Sequence, residues 1–228
     1  GDTFSKYKLD SSIDNLKASG IFKDVKANIE NLDKESVSIE LDVEEQPTGA
    51  ISAGAAIGSS GSTITTGLSE NNLFGKGINI FSNISLGTES IKGNISATFP
   101  DFNNTDNDFI YSIYATSTDF TNTGYESSVF GNNVSVKYDI FEDMTFAPGI
   151  GIDRDDINAN STASDLYKSR EGQYMSFKTF YNLETDKRDR RFQTTKGYRL
   201  NFGQTLAVPG SDIPYLENNL SGTYYHSI

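Results

Sequence analysis

From Gly49 to the end of the chain, apolar residues recur at every second position, and this period confines the segment to half-buried β-strands. Ile51, Ala53, Ala55 and Ile57 fall on one face of the first strand. Ile78, Ile80, Ile84 and Leu86 oppose Asn79, Asn83 and Ser85, and Ile91, Ile95, Ala97 and Phe99 oppose Lys92, Asn94, Ser96 and Thr98. Phe109 to Ala115, Val134 to Tyr138, Met144 to Ile152, Met175 to Leu183, Tyr198 to Leu206 and Leu216 to Tyr225 repeat the pattern, giving about ten strands with no helical periodicity. The second face carries mainly Ser, Thr, Asn and Gly with few charges. A soluble sandwich exposes a more charged face, whereas a barrel in a membrane turns its apolar face to lipid and a polar face to its lumen. The strands also run about 9 to 11 residues, the span of a tilted transmembrane strand.

The connections sort by parity. The group 59–62, 87–90, 117–124, 153–172 and 208–214 includes the longest, Asp153 to Gly172, expected as an outer loop. The other group is 71–77, 100–108, 139–143 and 184–196.

Before Glu44-Glu45-Gln46-Pro47-Thr48-Gly49 the pattern is different. Leu9, Ile13 and Leu16 are spaced as one face of a helix over 5–19, with Ser5 as N-cap and Gly20 just past its end. Val25, Ala27 and Ile29, a polar turn over Asn31 to Ser36, and Val37, Ile39, Leu41 and Val43 read as a hairpin. The boundary divides residues 1–46 from 47–228.

Composition narrows the chemistry. The 228 residues contain no Cys and one His, so thiolate chemistry, a Ser-His-Asp set and a multi-histidine metal site have no residues to build them. A net charge of −12 opposes nucleic-acid binding. No cofactor is implied. Asp153-Arg154-Asp155-Asp156-Ile157-Asn158 invites a calcium reading but lacks the glycine and glutamate of an EF-hand loop, so a solvated outer loop is expected. Gly75-Lys76-Gly77 lacks the rest of a phosphate loop. Arg188, Asp189, Arg190 and Arg191 read as a charged turn, with phosphate-rich lipid as the other option.

Several landmarks together resemble one family. Gly1-Asp2-Thr3-Phe4 through Leu16-Lys17-Ala18-Ser19-Gly20-Ile21-Phe22-Lys23-Asp24-Val25 is similar to the last part of a POTRA domain, and Glu44 to Gly49 to the junction from that domain into a barrel. Glu70-Asn71-Asn72-Leu73-Phe74-Gly75-Lys76-Gly77, Phe99-Pro100-Asp101-Phe102, and Asp186-Lys187-Arg188-Asp189 with Thr194-Thr195-Lys196-Gly197 resemble successive periplasmic turns of the BamA-type outer-membrane assembly factors. The last departs from the pattern, with Gln193 or Thr194 where the family has proline.

The resemblance implies an antiparallel transmembrane β-barrel of 16 strands, about ten of them present, preceded by the C-terminal part of an α+β POTRA domain. The chain is then a fragment, with its Arg-Gly-Phe loop and closing strands beyond it. The implied work is non-enzymatic: insertion of β-barrel proteins into the bacterial outer membrane, with nascent outer-membrane proteins, periplasmic chaperones, lipoprotein subunits and outer-membrane lipid as partners. The first strand, with Gly49, Ile51, Ser52, Ala53, Gly54, Ala55, Ile57 and Gly58, is the expected lateral gate, where an incoming strand pairs with an exposed edge. Its small side chains bury little area and its glycines cost backbone entropy, so it holds its own neighbour weakly; the bland account is a tight barrel corner. Val37, Ile39, Leu41 and Val43 form a second edge able to accept a strand, beside the simpler expectation of a half-buried strand packed on its own helix. A two-partner-secretion barrel, a passive porin-like channel and a soluble β-sandwich adhesin are the alternatives; the POTRA-like segment speaks against a porin.

Overall fold

The computed structural model describes residues 4–32, 36–58, 61–189 and 194–226. The expected positions at 1–3, 33–35, Ser59, Ser60, Arg190, Arg191 and Gln193 lie outside these. The chain opens with α1 (Lys6–Ala18), β1 (Phe22–Asn31) and β2 (Val37–Glu45). The Ser5 side chain accepts the Lys8 amide at 3.4 Å, and Gly20 turns the chain out of α1 at φ +73°, where glycine has no Cβ to clash. Leu9, Ile13 and Leu16 are half-buried, and α1 lies over β1, whose Val25 is 2% exposed.

β1 and β2 pair antiparallel, with Val25 opposite Val43, Ala27 opposite Leu41 and Ile29 opposite Ile39. The expectation that β2 is half-buried against its own helix is corrected here. Ile39, Leu41 and Val43 are 42%, 43% and 48% exposed, because the helix covers β1 and leaves the β2 end of the apolar face open.

Ten further strands form one antiparallel sheet in sequence order: β3 (Gly49–Gly58), β4 (Gly61–Leu73), β5 (Ile78–Gly87), β6 (Ser90–Phe99), β7 (Asp108–Phe120), β8 (Tyr125–Phe141), β9 (Met144–Ala159), β10 (Gly172–Asp186), β11 (Gly197–Ala207) and β12 (Leu216–Tyr225). Each strand pairs with its sequence neighbours, and β3 and β12 stand at opposite ends of the sheet, so the wall is open.

Register carries one row across the wall: Ser52, Gly67, Asn83, Asn94, Tyr114, Gly131, Asp153 and Ser176 are successive partners on the polar face. The neighbouring row, Ala53, Thr66, Ile84, Gly93, Ala115, Phe130, Arg154 and Met175, belongs to the other face. Ile51, Ile64, Ile91, Ile150 and Leu220 on that face are 56–81% exposed, which suits a surface solvated by hydrocarbon. Among the described residues no helix is long and apolar enough to cross a membrane, which says nothing of strands.

Aromatic rings line the Gly49 end of this face. Phe99 and Phe109 lie 5.9 Å apart, and Tyr138, Phe146, Tyr181 and Phe202 follow in a chain with centroids 5.6–6.0 Å apart. This is the aromatic girdle that marks one membrane interface.

Three sequence expectations need correction. Residues 117–120 and 153–159 are strand, because β7, β8 and β9 continue past the apolar band with polar residues on both faces and lose the two-residue period that betrays a strand. The ladder carries them, helped by Ser117 donating to Glu126 at 2.7 Å and Gln173 to Asp156 at 3.1 Å. The Asp153–Asn158 run is therefore no solvated loop: Asp153 points inward and Arg154 outward. This half also has a single helical turn, α2 (Asp165–Lys168), and a 3-10 turn at Phe102–Asn104.

The two units meet at the junction. The Gln46 amide donates to Ile21 O and its Nε2 to Gly20 O, both at 3.0 Å, and Asn71 N donates to Thr48 O at 3.1 Å. Tyr7 on α1 reaches the β8–β9 turn, where the Glu142 carboxylate, by charge and by hydrogen bond, holds the Tyr7 hydroxyl above its ordinary pKa.

Val25 is the one buried apolar side chain described in the N-terminal unit. Val25→Ala removes two buried methyl groups and is expected to cost this unit about 2 kcal/mol. Hydrogen exchange should show faster exchange of the β1–β2 amides while β5–β9 keep their protection.

Candidate functional site: the β3 edge and the inner wall

Along β3, Gly49 to Gly58 pairs with Glu70 to Gly61 of β4, and all ten residues of β3 are exposed. Its other edge meets no strand among the described residues, so every second residue there presents N–H and C=O groups outward. Ile51 and Ile57 are 81% and 89% exposed, and Ala53 and Ala55 share their face; Ser52, Gly54 and Gly58 face the polar side. No Cβ neighbour lies within 4 Å of Gly54 or Gly58, so neither glycine is required by close packing. The strand is thus held by its backbone ladder, with Thr66 Oγ1 adding one contact to Ser52 O at 3.3 Å. β12, with nine of its ten residues exposed, is the last strand of the sheet among the described residues.

Val37, Ile39, Leu41 and Val43 lie on the second edge, since β2 pairs only with β1 among the described residues. The two edge strands sit in separate sheets and do not form one site.

Sequence reasoning missed a buried ionic cluster on the inner wall. Lys178 Nζ on β10 donates to Asp153 Oδ2 on β9 and to the Tyr114 hydroxyl on β7, each at 2.7 Å, and the Tyr114 hydroxyl donates to Asp153 Oδ1. The Lys178 and Asp153 side chains are 9% and 11% exposed, and the ammonium also lies 5.1 Å from the Tyr114 ring centroid. Two glycines make the space. A Cβ at Gly131 would collide with Asp153 Oδ1 and come within 2.5 Å of the Tyr114 hydroxyl; one at Gly151 would come within 2.6 Å of Lys178 Cε. The readable signal was glycine on the polar face of two adjacent strands, opposite long polar side chains on the next ones.

Nearer the Gly49 end the turns are fastened by their own polar residues. Asn72 Oδ1 accepts the Gly77 amide at 2.7 Å. Asp189 accepts the Thr195 and Lys196 amides at 3.0 and 3.1 Å. Arg188 donates to both Asp186 oxygens at 2.8 and 2.6 Å, which raises the guanidinium pKa further and ties Arg188 into its own turn. The described residues contain no acidic, histidine or cysteine group able to hold a metal ion.

A one-layer antiparallel wall with a lipid-type outer face, a polar inner face and an aromatic girdle defines a transmembrane β-barrel protein. Within that class the Omp85 superfamily domain matches residues 72–228, more than half of the chain, and the chain belongs to that superfamily. It is 26% identical over 233 residues to the outer membrane protein assembly factor BamA of Neorickettsia risticii (strain Illinois), a match that covers 100% of this chain and 31% of that protein. The fold is shared with BamA from Haemophilus ducreyi lacking POTRA domains 1–3, at TM-score 0.72 and 20% identity over 97% of this chain and 46% of that one. CdiB from Acinetobacter baumannii gives TM-score 0.59 at 13% identity over 96% and 43%, and CdiB from Escherichia coli 0.58 at 15% over 97% and 45%. The chain thus spans about a third of the curated relative's length.

Breaking the inner-wall cluster by Asp153→Leu or Lys178→Met alone leaves one buried charge unpaired, expected to cost about 3 kcal/mol in either case. The double variant should recover much of this loss. Urea unfolding of the folded barrel in detergent measures both, and additive losses would show that the charges are not coupled.

Proposed function

We propose that this chain is the barrel-proximal part of a factor that assembles and inserts β-barrel proteins into the bacterial outer membrane, by pairing their strands with the free edge of β3. The observation that carries the proposal is that the first strand of the sheet is made of small, exposed residues that hold β4 by little more than the ladder, and among the described residues it is bonded on one side only. Such an edge offers sequence-tolerant backbone hydrogen bonds, and in hydrocarbon an unpaired backbone group has no water to satisfy it, so an incoming strand is strongly favoured to pair. Because β3 holds β4 with few side-chain contacts, exchange of partners costs little beyond the ladder itself. No covalent step is needed: the driving forces are backbone pairing and burial of apolar side chains in lipid.

In this reading residues 1–46 are the C-terminal part of a POTRA domain in the periplasm and residues 47–228 the N-terminal portion of the barrel. The exposed edge of β2, with Val37, Ile39, Leu41 and Val43, would receive extended segments from chaperones or lipoprotein subunits before they reach the membrane. The whole-length likeness to an assembly factor supports this function. A two-partner-secretion or other translocation barrel is the second reading, resting on the CdiB folds; their TM-scores are below that of the BamA fold.

The test is a photo-crosslinking residue at Ala53 or Ile57 in the full-length protein, with an arrested outer-membrane protein as substrate. Cross-links to the substrate's terminal strand are expected from both sites and not from Val134 in the middle of the wall. Equal cross-linking from Val134, or none from β3, would reject strand templating at this edge.

A further inference from the structure

The outer face of the wall carries a groove of about 600 Å³ away from the Gly49 end. Its floor is Gly93 on β6 and Ala115 on β7, and Ile84, Ile91 and Phe130 form its apolar walls. A Cβ at Gly93 would meet nothing within 4 Å, so the missing side chain is open space rather than a packing requirement. Arg154 on β9 closes the groove at the side, in the same register row as Gly93, Ala115 and Phe130.

Arg154 is the only Lys or Arg that the register turns outward on the ten strands, among the described residues; Lys92, Lys137, Lys178 and Arg199 all face inward. Its height explains why a cation is tolerated there. It lies eight residues along β9 from Phe146 of the aromatic girdle. At about 3.3 Å per residue and a tilt of about 40°, that is about 20 Å of height, against an apolar band about 25 Å tall. Arg154 therefore sits at the far membrane interface, where a guanidinium can extend toward the headgroups.

The residues beyond it confirm the boundary. The next outward row, Ser117, Ser128, Asp156 and Gln173, is wholly polar, and the row after that pairs Asp119 with Glu126. These carboxylates stand about 5–10 Å further out than Arg154, two and four residues along tilted strands. Arg154 Nη2 lies 3.9 Å from Asp156 Oδ2, too long for a hydrogen bond, and its side chain is 52% exposed, so it has donors to spare.

We infer that this groove binds one zwitterionic aminophospholipid, with an acyl chain along Gly93 and Ala115, the phosphate on Arg154 and the ammonium among Asp156, Glu126 and Asp119. The order of charges selects the headgroup. A cation at the interface with anions immediately outside it matches a phosphate followed by an ammonium, and it opposes a purely anionic headgroup. The guanidinium's planar donors suit phosphate oxygens, and a primary ammonium has three donors for the carboxylates. The inference needs the outer face to meet lipid; it does not depend on strand exchange at β3.

The test uses the full-length protein in nanodiscs with equal parts phosphatidylethanolamine, phosphatidylcholine and phosphatidylglycerol, released into gentle detergent for native mass spectrometry. Phosphatidylethanolamine should be retained several-fold over the other two. Arg154→Gln and, independently, Gly93→Leu should each reduce that retention several-fold, with the barrel intact by heat-shifted gel mobility. Asp156→Asn with Glu126→Gln should shift the preference toward phosphatidylglycerol. Preferential retention of phosphatidylglycerol by the unaltered protein, retention abolished by a chelator of divalent cations, or retention indifferent to both groove variants would overturn the inference.

Discussion

The antiparallel backbone ladder holds this structure together, and everything else is arranged around it. Among the described residues only Val25, Ala163 and Ala207 are buried apolar side chains, so there is no conventional core. The wall is one strand thick, with lipid rather than protein as the solvent of its apolar face. In that solvent an unpaired N–H or C=O is costly, so each strand must be matched by a neighbour along its length. Among the described residues β3 and β12 are the outermost strands and pair on one side.

The inner face meets a different constraint. Its side chains are mainly small and polar on β3 to β6, with Phe81 and Lys92 the large ones, and the wall there rests on the ladder. Across β7 to β10 it is cross-braced by Tyr114, Asp153 and Lys178, seated against Gly131 and Gly151. The brace spans the strands that project furthest beyond the apolar band, where lipid no longer supports the outer face. The far connections add to it. The Asn160 amide donates to Gly124 O at 2.8 Å, Ala163 is 5% exposed, and Phe120, Tyr125 and Tyr167 stack with centroids 4.5 and 4.3 Å apart. The sheet therefore grades from an edge held by its ladder at β3 to a sector at β7 to β10 that side chains also tie together. The groove beside Arg154 lies on the cross-braced side.

Much of the wall was legible because lipid and lumen impose opposite demands on successive residues. Ile91, Ile95 and Phe99 against Lys92, Asn94 and Ser96 can be read as a strand without coordinates. The helix with its Ser5 cap and the edge strand β3 were legible for similar local reasons. The period vanishes where both faces are polar. Asp153 to Asn158 has no alternation, and its cluster of acids looked like a loop. Only the partners on β8 and β10 show that Asp153 is an inward strand residue and Arg154 an outward one. The burial of β2 was overestimated for a related reason: alternation reveals which side chains share a face, and not whether anything covers that face.

The sequence by itself determined the number of strands in the wall, the order of the turns and the small-residue character of β3, because each follows from short-range periodicity and backbone preference. The tertiary structure alone decided which polar residues meet. Tyr114, Asp153 and Lys178 are 25 to 64 residues apart in the chain and come together only through register across four strands. Register likewise set Arg154 at the edge of a groove floored by Gly93. A one-residue slip would exchange inner and outer faces, and that choice is made by pairing along the whole wall rather than by any local stretch.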